Sequence, residues 1–250
     1  MLTLFNRYRN IWPFEHARVR LVQHGVPRGT SARDFDDYVN ASYVQPLCTR
    51  KRYIATQGPL EATFNDFWAL VWEQNVHVIV MLTRLREGAQ AKCGRYWTEG
   101  RYGRLRLRAV ETTGTPAEEE GGFFVPSQSA SRAPALGTTV KRVFELSHDD
   151  YPRSGPRRVT QLQYLGWDDM NVPEDAQGVL GLVHDVDKAV QEGERQRARM
   201  PGYATPSRNG EPSDAGVVRQ SEGAPLLLHC SAGIGRTGMC FTFEYMRNIQ

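Results

Sequence analysis

Leu226-Leu227-Leu228-His229-Cys230-Ser231-Ala232-Gly233-Ile234-Gly235-Arg236-Thr237-Gly238 joins a short apolar strand to a glycine-rich turn and then to a helix start. Such a junction turns backbone N–H groups inward. Gly233 and Gly235 carry no Cβ, so both permit φ > 0 and the close approach of an anion. A helix starting near Arg236 brings its positive end to the same point. The Arg236 guanidinium adds a planar fork suited to phosphate oxygens. The stretch therefore reads as a phosphate cradle with Cys230 at its base. The same N–H groups, helix end and guanidinium favour a thiolate, and a thiolate beneath a bound phosphate is a nucleophile aimed at phosphorus. Of the four cysteines only Cys230 has an arginine six residues on; Ile54, Glu99 and Met246 stand six after Cys48, Cys93 and Cys240. A bare C-x5-R is matched as easily by an inert buried cysteine. The whole string is far more specific.

Working outward, strand and helix signals alternate. Tyr38–Val44 and Arg52–Thr56 carry β-branched and aromatic residues at strand length. Thr63-Phe64-Asn65-Asp66 resembles a capping box with Asp in place of Glu. Behind it Phe64, Phe67, Trp68, Val71 and Trp72 repeat at helical spacing and read as core. Val76–Leu82 predicts a buried strand. In Gly103–Glu111, Leu105, Leu107 and Ala109 alternate with Arg104, Arg106 and Arg108, a half-buried strand. Val140–Leu146 and Arg158–Leu165 are two more strands. Val179, Leu182, Val183, Val186 and Val190 form a helical stripe, and Arg236–Ile249 a last helix. The order predicts an α/β fold: a twisted mixed β-sheet flanked by α-helices, in one domain.

The 250 residues carry 31 Lys+Arg, 28 Asp+Glu and 40% hydrophobic residues. That balance excludes collagen-like, wholly disordered and membrane-embedded classes. A net charge of +3 is too small to argue for nucleic acid. No apolar run approaches a membrane span, and the N-terminus does not read as a secretory signal. Four cysteines without C-x-x-C spacing point to reduced thiols in a cytoplasmic or nuclear setting. Two stretches, Thr112–Thr139 and Gln191–Ala224, are rich in Gly, Pro, Ser, Thr and Ala. They read as disordered surface insertions, with Arg195–Arg199 a solvated basic loop.

His229–Gly238 resembles the signature loop of the tyrosine-specific protein phosphatases. Further stretches match in the family's order. Asn6–Ile11 is similar to its substrate-recognition loop. Asp37–Tyr43, Tyr53–Pro59, Glu87, Lys92-Cys93 and Tyr96-Trp97 follow. Trp167–Pro173 resembles its mobile acid loop.

The resemblance implies that Cys230 attacks phosphotyrosine and forms a cysteinyl-phosphate. Arg236 would hold the transferring phosphoryl group, together with Ser231, Ala232, Gly233, Ile234 and Gly235 of the cradle. Asp169 would be the general acid, closing over the substrate on a loop that swings. Tyr8 would stack on the substrate ring and deepen the pocket, and Asn10 would bind the substrate backbone. Thr237 would hydrogen-bond the sulfur and His229 would support the loop from beneath. Glu87 would pair with Arg236, Lys92 would orient Asp169, and Trp167 would belong to the acid loop. No metal or other cofactor is implied. The implied partners are phosphotyrosine-containing proteins in cytoplasmic signal transduction, with no nucleic acid, no membrane and a monomeric chain.

Departures stand beside the matches. Asn10 occupies a position where many members carry Asp; Asp168, Asn171 and Thr98 replace a usual Pro, Gly and Pro. Asp168 would either raise the pKa of Asp169 by like-charge repulsion or simply be solvated. Met1 begins almost on the recognition loop, and the chain stops at Gln250, soon after the nucleophile. By the resemblance, helices are missing at both ends, among them a segment whose glutamines position the hydrolytic water. Two functions are therefore open: a protein tyrosine phosphatase, and a truncated, catalytically impaired phosphotyrosine-binding protein. The match around Tyr8 argues against a dual-specificity enzyme.

Overall fold

The computed structural model describes residues 4–22, 37–46, 51–114, 139–169, 171–173, 175–199 and 223–248. In chain order the strands are β1 (Arg18–Arg20), β2 (Tyr38–Val44), β3 (Tyr53–Thr56), β4 (Val78–Met81), β5 (Arg86–Glu87), β6 (Gln90–Ala91), β7 (Gly100–Tyr102), β8 (Leu105–Thr113), β9 (Thr139–His148), β10 (Arg157–Tyr164) and β11 (Leu226–His229). The helices are α1 (Phe64–Glu73), α2 (Ala176–Arg199) and α3 (Gly235–Asn248). A 9-stranded sheet runs β1-β2-β3-β11-β4-β10-β9-β8-β7, and β5 and β6 pair separately. The central pairings β3–β11, β11–β4 and β4–β10 are parallel, and the outer ones antiparallel. This is the mixed α/β sheet expected, with helices on both faces.

Central strands buried on both faces must be apolar throughout, and β4 (VIVM) is. Ile79 and Met81 pack with Phe67, Trp68 and Trp72 of α1. Val78 and Val80 point the other way, against Leu182 and Ala189 of α2. Leu227 and Leu228 of β11 divide in the same manner. Each fully buried aliphatic side chain contributes roughly 1.5–3 kcal/mol, so this sandwich anchors the end of β11 from both sides.

In α1, Phe67, Trp68, Val71 and Trp72 of the stripe are buried, while Phe64 at its first turn is half-buried. Its start differs: Thr63 Oγ1 accepts from Leu60 N at 3.0 Å within a 3-10 turn, rather than capping the helix. Asn75, in the left-handed region at φ 55°, ends the segment; its short polar side chain tolerates that conformation. In β8 Leu105 and Leu107 are buried but Ala109 is exposed. A register shift between Ala109 and Glu111 ends the inward alternation there. Strands β1, β5, β6 and β7 are too short to have left a period in the sequence.

The second low-complexity stretch does not begin as a loop at Gln191. α2 continues past Gln191 to Arg199, so the basic stretch lies on a helix. The segment seats closely on the sheet: a Cβ at Gly193 would lie 2.9 Å from His77 Cβ. Its low hydrophobicity reflects a helix with one solvated face. The first stretch likewise has its ends inside strands, Thr112 and Thr113 in β8 and Thr139 in β9. Residues 115–138 and 200–222 lie outside the described residues. No helix among the described residues is long and apolar enough to cross a membrane.

Candidate active site

β11 delivers His229 at its C-terminal end and Cys230 immediately after it, in the crevice outside the parallel strands. Parallel α/β sheets bind ligands at that edge. The cradle folds from residues 231–235 into α3. Gly233 is the residue that requires its glycine: its φ is +80°, and a Cβ there would lie 2.4 Å from Thr56 O and 2.9 Å from Gln57 N. Gly235 does not adopt positive φ and a Cβ on it would meet nothing, because it opens α3. The dual role read for both glycines belongs to Gly233.

Cys230 is 3% exposed, and its Sγ accepts from Gly233 N at 3.3 Å. Ser231 is buried, Ala232 half-buried, and Ile234 and Gly235 are exposed at the rim. Gly58 packs beneath: a Cβ would fall 2.8 Å from Cys230 O and 3.3 Å from Cys93 Cβ. Burial pushes the Cys93 thiol up to about 12.

Arg236 is 4% exposed. Its Nη1 donates to Glu87 Oε1 at 2.6 Å and to Trp167 O at 2.9 Å, and its Nη2 to Glu87 Oε2 at 3.1 Å. This bidentate clamp fixes the guanidinium plane. Glu87 is itself held by Thr83 Oγ1 at 2.8 Å. Arg236 Nε is buried with no partner among the described residues. Asp169 joins the cluster, its Oδ1 3.3 Å from Arg236 Nη2 and its Oδ2 2.6 Å from Lys92 Nζ. The hydrogen bond to Asp169 raises the Lys92 pKa. Trp167 is buried, its Nε1 donating to Asn171 O at 2.8 Å, while Asp168 is exposed.

Tyr8 meets the cradle, its hydroxyl 2.9 Å from Ser231 Oγ. Asn10 stands exposed on the same segment. Thr237 is fully buried, but its Oγ1 has no partner among the described residues. The bond to sulfur expected of it is not made; the sulfur takes the Gly233 N–H instead. His229 is fully buried, which depresses its pKa to about 4. Its Nδ1 lies 3.2 Å from Cys230 O and its Nε2 2.7 Å from Tyr96 Oη. Among the described residues no group of three or more His, Cys, Asp or Glu could hold a metal ion.

Two contributors lie in stretches that match the family but have no role assigned from the sequence. Arg7 staples the Tyr8 segment, donating from Nε to Gly58 O at 2.9 Å and from Nη2 to Pro59 O at 2.9 Å. Tyr96 holds His229. Arg7 adjoins Tyr8 in sequence, but nothing in its spacing announces carbonyl partners some fifty residues away.

A sequence model of the protein-tyrosine phosphatase family matches residues 3–249. Rat receptor-type tyrosine-protein phosphatase zeta is 34% identical over 245 residues, 96% of this chain and 8% of that protein. Tyrosine-protein phosphatase 1 of Caenorhabditis elegans is 33% identical over 247 residues, 96% of this chain and 18% of that protein. Mouse tyrosine-protein phosphatase non-receptor type 9 is 32% identical over 233 residues, 93% of this chain and 32% of that protein. The chain thus spans less than a third of the length of each of these relatives.

Proposed function

Because this chain belongs to the protein-tyrosine phosphatase family, we propose that it hydrolyses phosphotyrosine in proteins through a cysteinyl-phosphate intermediate. The single observation that carries the reading is the convergence on one loop of a buried sulfur under the Gly233 N–H and an arginine clamped flat by Glu87. The Cys230 thiolate attacks phosphorus as the P–O bond to the tyrosine breaks, and Asp169 delivers a proton to the departing phenolic oxygen. Charge on the equatorial oxygens is met by cradle N–H groups and by Arg236, whose Nε has no partner among the described residues. Water then attacks phosphorus, giving a proton to the Asp169 carboxylate left by the first step, as the P–S bond breaks; phosphate leaves, and the thiolate and the protonated Asp169 are restored.

Asp169 touches Arg236. A phosphate dianion arriving on Arg236 displaces that carboxylate and, as a like charge beside it, favours its protonated form. The substrate thereby generates the general acid. Tyr8, held to Ser231, lines the wall where an aromatic ring would stack. We further propose that the chain acts as a monomer on phosphotyrosine-containing proteins in the cytoplasm, in signal transduction, without nucleic acid or membrane.

Rapid-mixing hydrolysis of a phosphotyrosine peptide tests the reading. The expected result is a burst of dephosphorylation followed by steady turnover, both absent in Cys230→Ser. A burst without turnover would make the chain the impaired, phosphotyrosine-binding alternative. Neither burst nor binding would overturn the proposal.

A further inference from the structure

A file of buried polar side chains ends on the backbone of Cys230, and its donors and acceptors fit together in one direction only. The file begins in β9. Arg142 is 2% exposed, and its Cζ lies 4.5 Å over the Trp97 ring. A guanidinium only donates, and Arg142 Nη1 donates to Gln161 Oε1 at 3.0 Å and to Gln163 Oε1 at 2.9 Å. Arg142 and Gln161 are direct partners across β9 and β10, so the pairing is built into the register. With Oε1 committed, Gln161 presents its NH2 to Tyr96, Nε2 lying 2.6 Å from Tyr96 Oη.

Tyr96 Oη must therefore accept from Gln161. Its own single proton then goes to its other neighbour, His229 Nε2 at 2.7 Å. A His229 Nε2 that accepts carries no proton. The ring is neutral, since burial holds its pKa near 4, so the proton sits on Nδ1 and is donated to Cys230 O at 3.2 Å. We infer that Gln161, oriented by Arg142, is a positioning residue that sets the tautomer of His229 through Tyr96 and so fixes the carbonyl of the nucleophile. The relevance of this to catalysis rests on the reading of Cys230 given above.

The opposite polarity is costly at the far end. Were His229 protonated on Nε2, its Nδ1 lone pair would face the Cys230 carbonyl oxygen, two acceptors in a buried space. That oxygen has little room to turn away, since Gly58 is packed against it. Rotating the Cys230 peptide would carry Sγ off the Gly233 N–H.

Nitrogen-15 NMR of histidine-labelled protein reads the tautomer directly. In the wild type, His229 is expected with Nδ1 protonated and Nε2 bare; the reverse would overturn the inference without any variant. Gln161→Glu keeps the shape and the Arg142 contact but offers Tyr96 only acceptors. The Tyr96 proton then turns to the introduced carboxylate, and His229 is expected to move to the Nε2-protonated form. Gln161→Leu removes the constraint and is expected to give a mixture of tautomers. In both variants kcat falls about tenfold with KM little changed, the scale of one lost hydrogen bond. Tyr96→Phe combined with Gln161→Leu adds no further loss, whereas Arg142→Lys, still a donor, retains the wild-type tautomer. An unchanged His229 tautomer in folded Gln161→Glu or Gln161→Leu protein would sink the inference. A wild type that hydrolyses no phosphotyrosine yet shows the expected tautomers would instead sink the proposed function alone.

Discussion

Replacing Gly233 by Ala probes the cradle with one carbon atom. Two penalties arise. At φ +80° an L-residue meets its own backbone, which costs roughly 1–2 kcal/mol. The new Cβ would also lie 2.4 Å from Thr56 O, so the loop must withdraw by about 1 Å to restore van der Waals contact. Together these should lower unfolding stability by roughly 2–4 kcal/mol, measured by urea denaturation. The withdrawal carries the Gly233 N–H away from Cys230 Sγ, now 3.3 Å from it. A displacement of that size at a reacting centre costs about 100-fold, so kcat/KM on a phosphotyrosine peptide should fall by that order. Gly235→Ala is the stability control. Its Cβ meets nothing within 4 Å and it opens α3, so stability should hold or rise by up to about 1 kcal/mol. If Gly233→Ala matches the wild type in stability and in kcat/KM, the cradle geometry described here is wrong.

Three other outcomes are expected. Glu87→Ala leaves the buried Arg236 guanidinium with only Asp169 and the Trp167 carbonyl as partners and should lower stability by about 1–3 kcal/mol by denaturant melting; an undiminished melt would mean that the clamp is dispensable. Burial raises Glu73 from 4.5 to about 7 while it accepts from Val22 N. The native state then holds a proton that the unfolded state has released, so stability falls as pH rises from about 4.5 to 7. Relative to Glu73→Gln, which keeps the acceptor, the wild type should lose up to about 3 kcal/mol across that window; parallel pH profiles would refute the assignment. Finally, iodoacetamide at pH 7.5 should leave Cys93 unmodified in the folded protein by peptide mass spectrometry, since that thiol is buried and pushed up to about 12; its rapid alkylation would contradict the packing under Gly58.

The contacts within the site differ in how far they could be anticipated. Cys230, Gly233 and Arg236 lie within seven residues of one another, so local geometry decides their relation and the spacing betrays it. Glu87 and Asp169 reach Arg236 from 149 and 67 positions away; the resemblance named them, but no periodicity did. Thr237 was assigned to the sulfur and is not bonded to it. Arg195–Arg199 looked like a loop because charge on a solvated helix face and charge in a coil have the same composition.

Periodicity and local chain chemistry therefore established the apolar central strands, the α1 stripe and the cradle with its cysteine, because each depends on residues a few positions apart. Pairing order, strand register and hydrogen-bond direction were decided only by the fold. The line from Arg142 through Gln161 and Tyr96 to His229 joins β9, β10, the segment after β6 and β11. It exists only because the register sets Gln161 opposite Arg142, and the energy of a buried hydrogen bond depends on where its partner lies in space, whatever their separation along the chain.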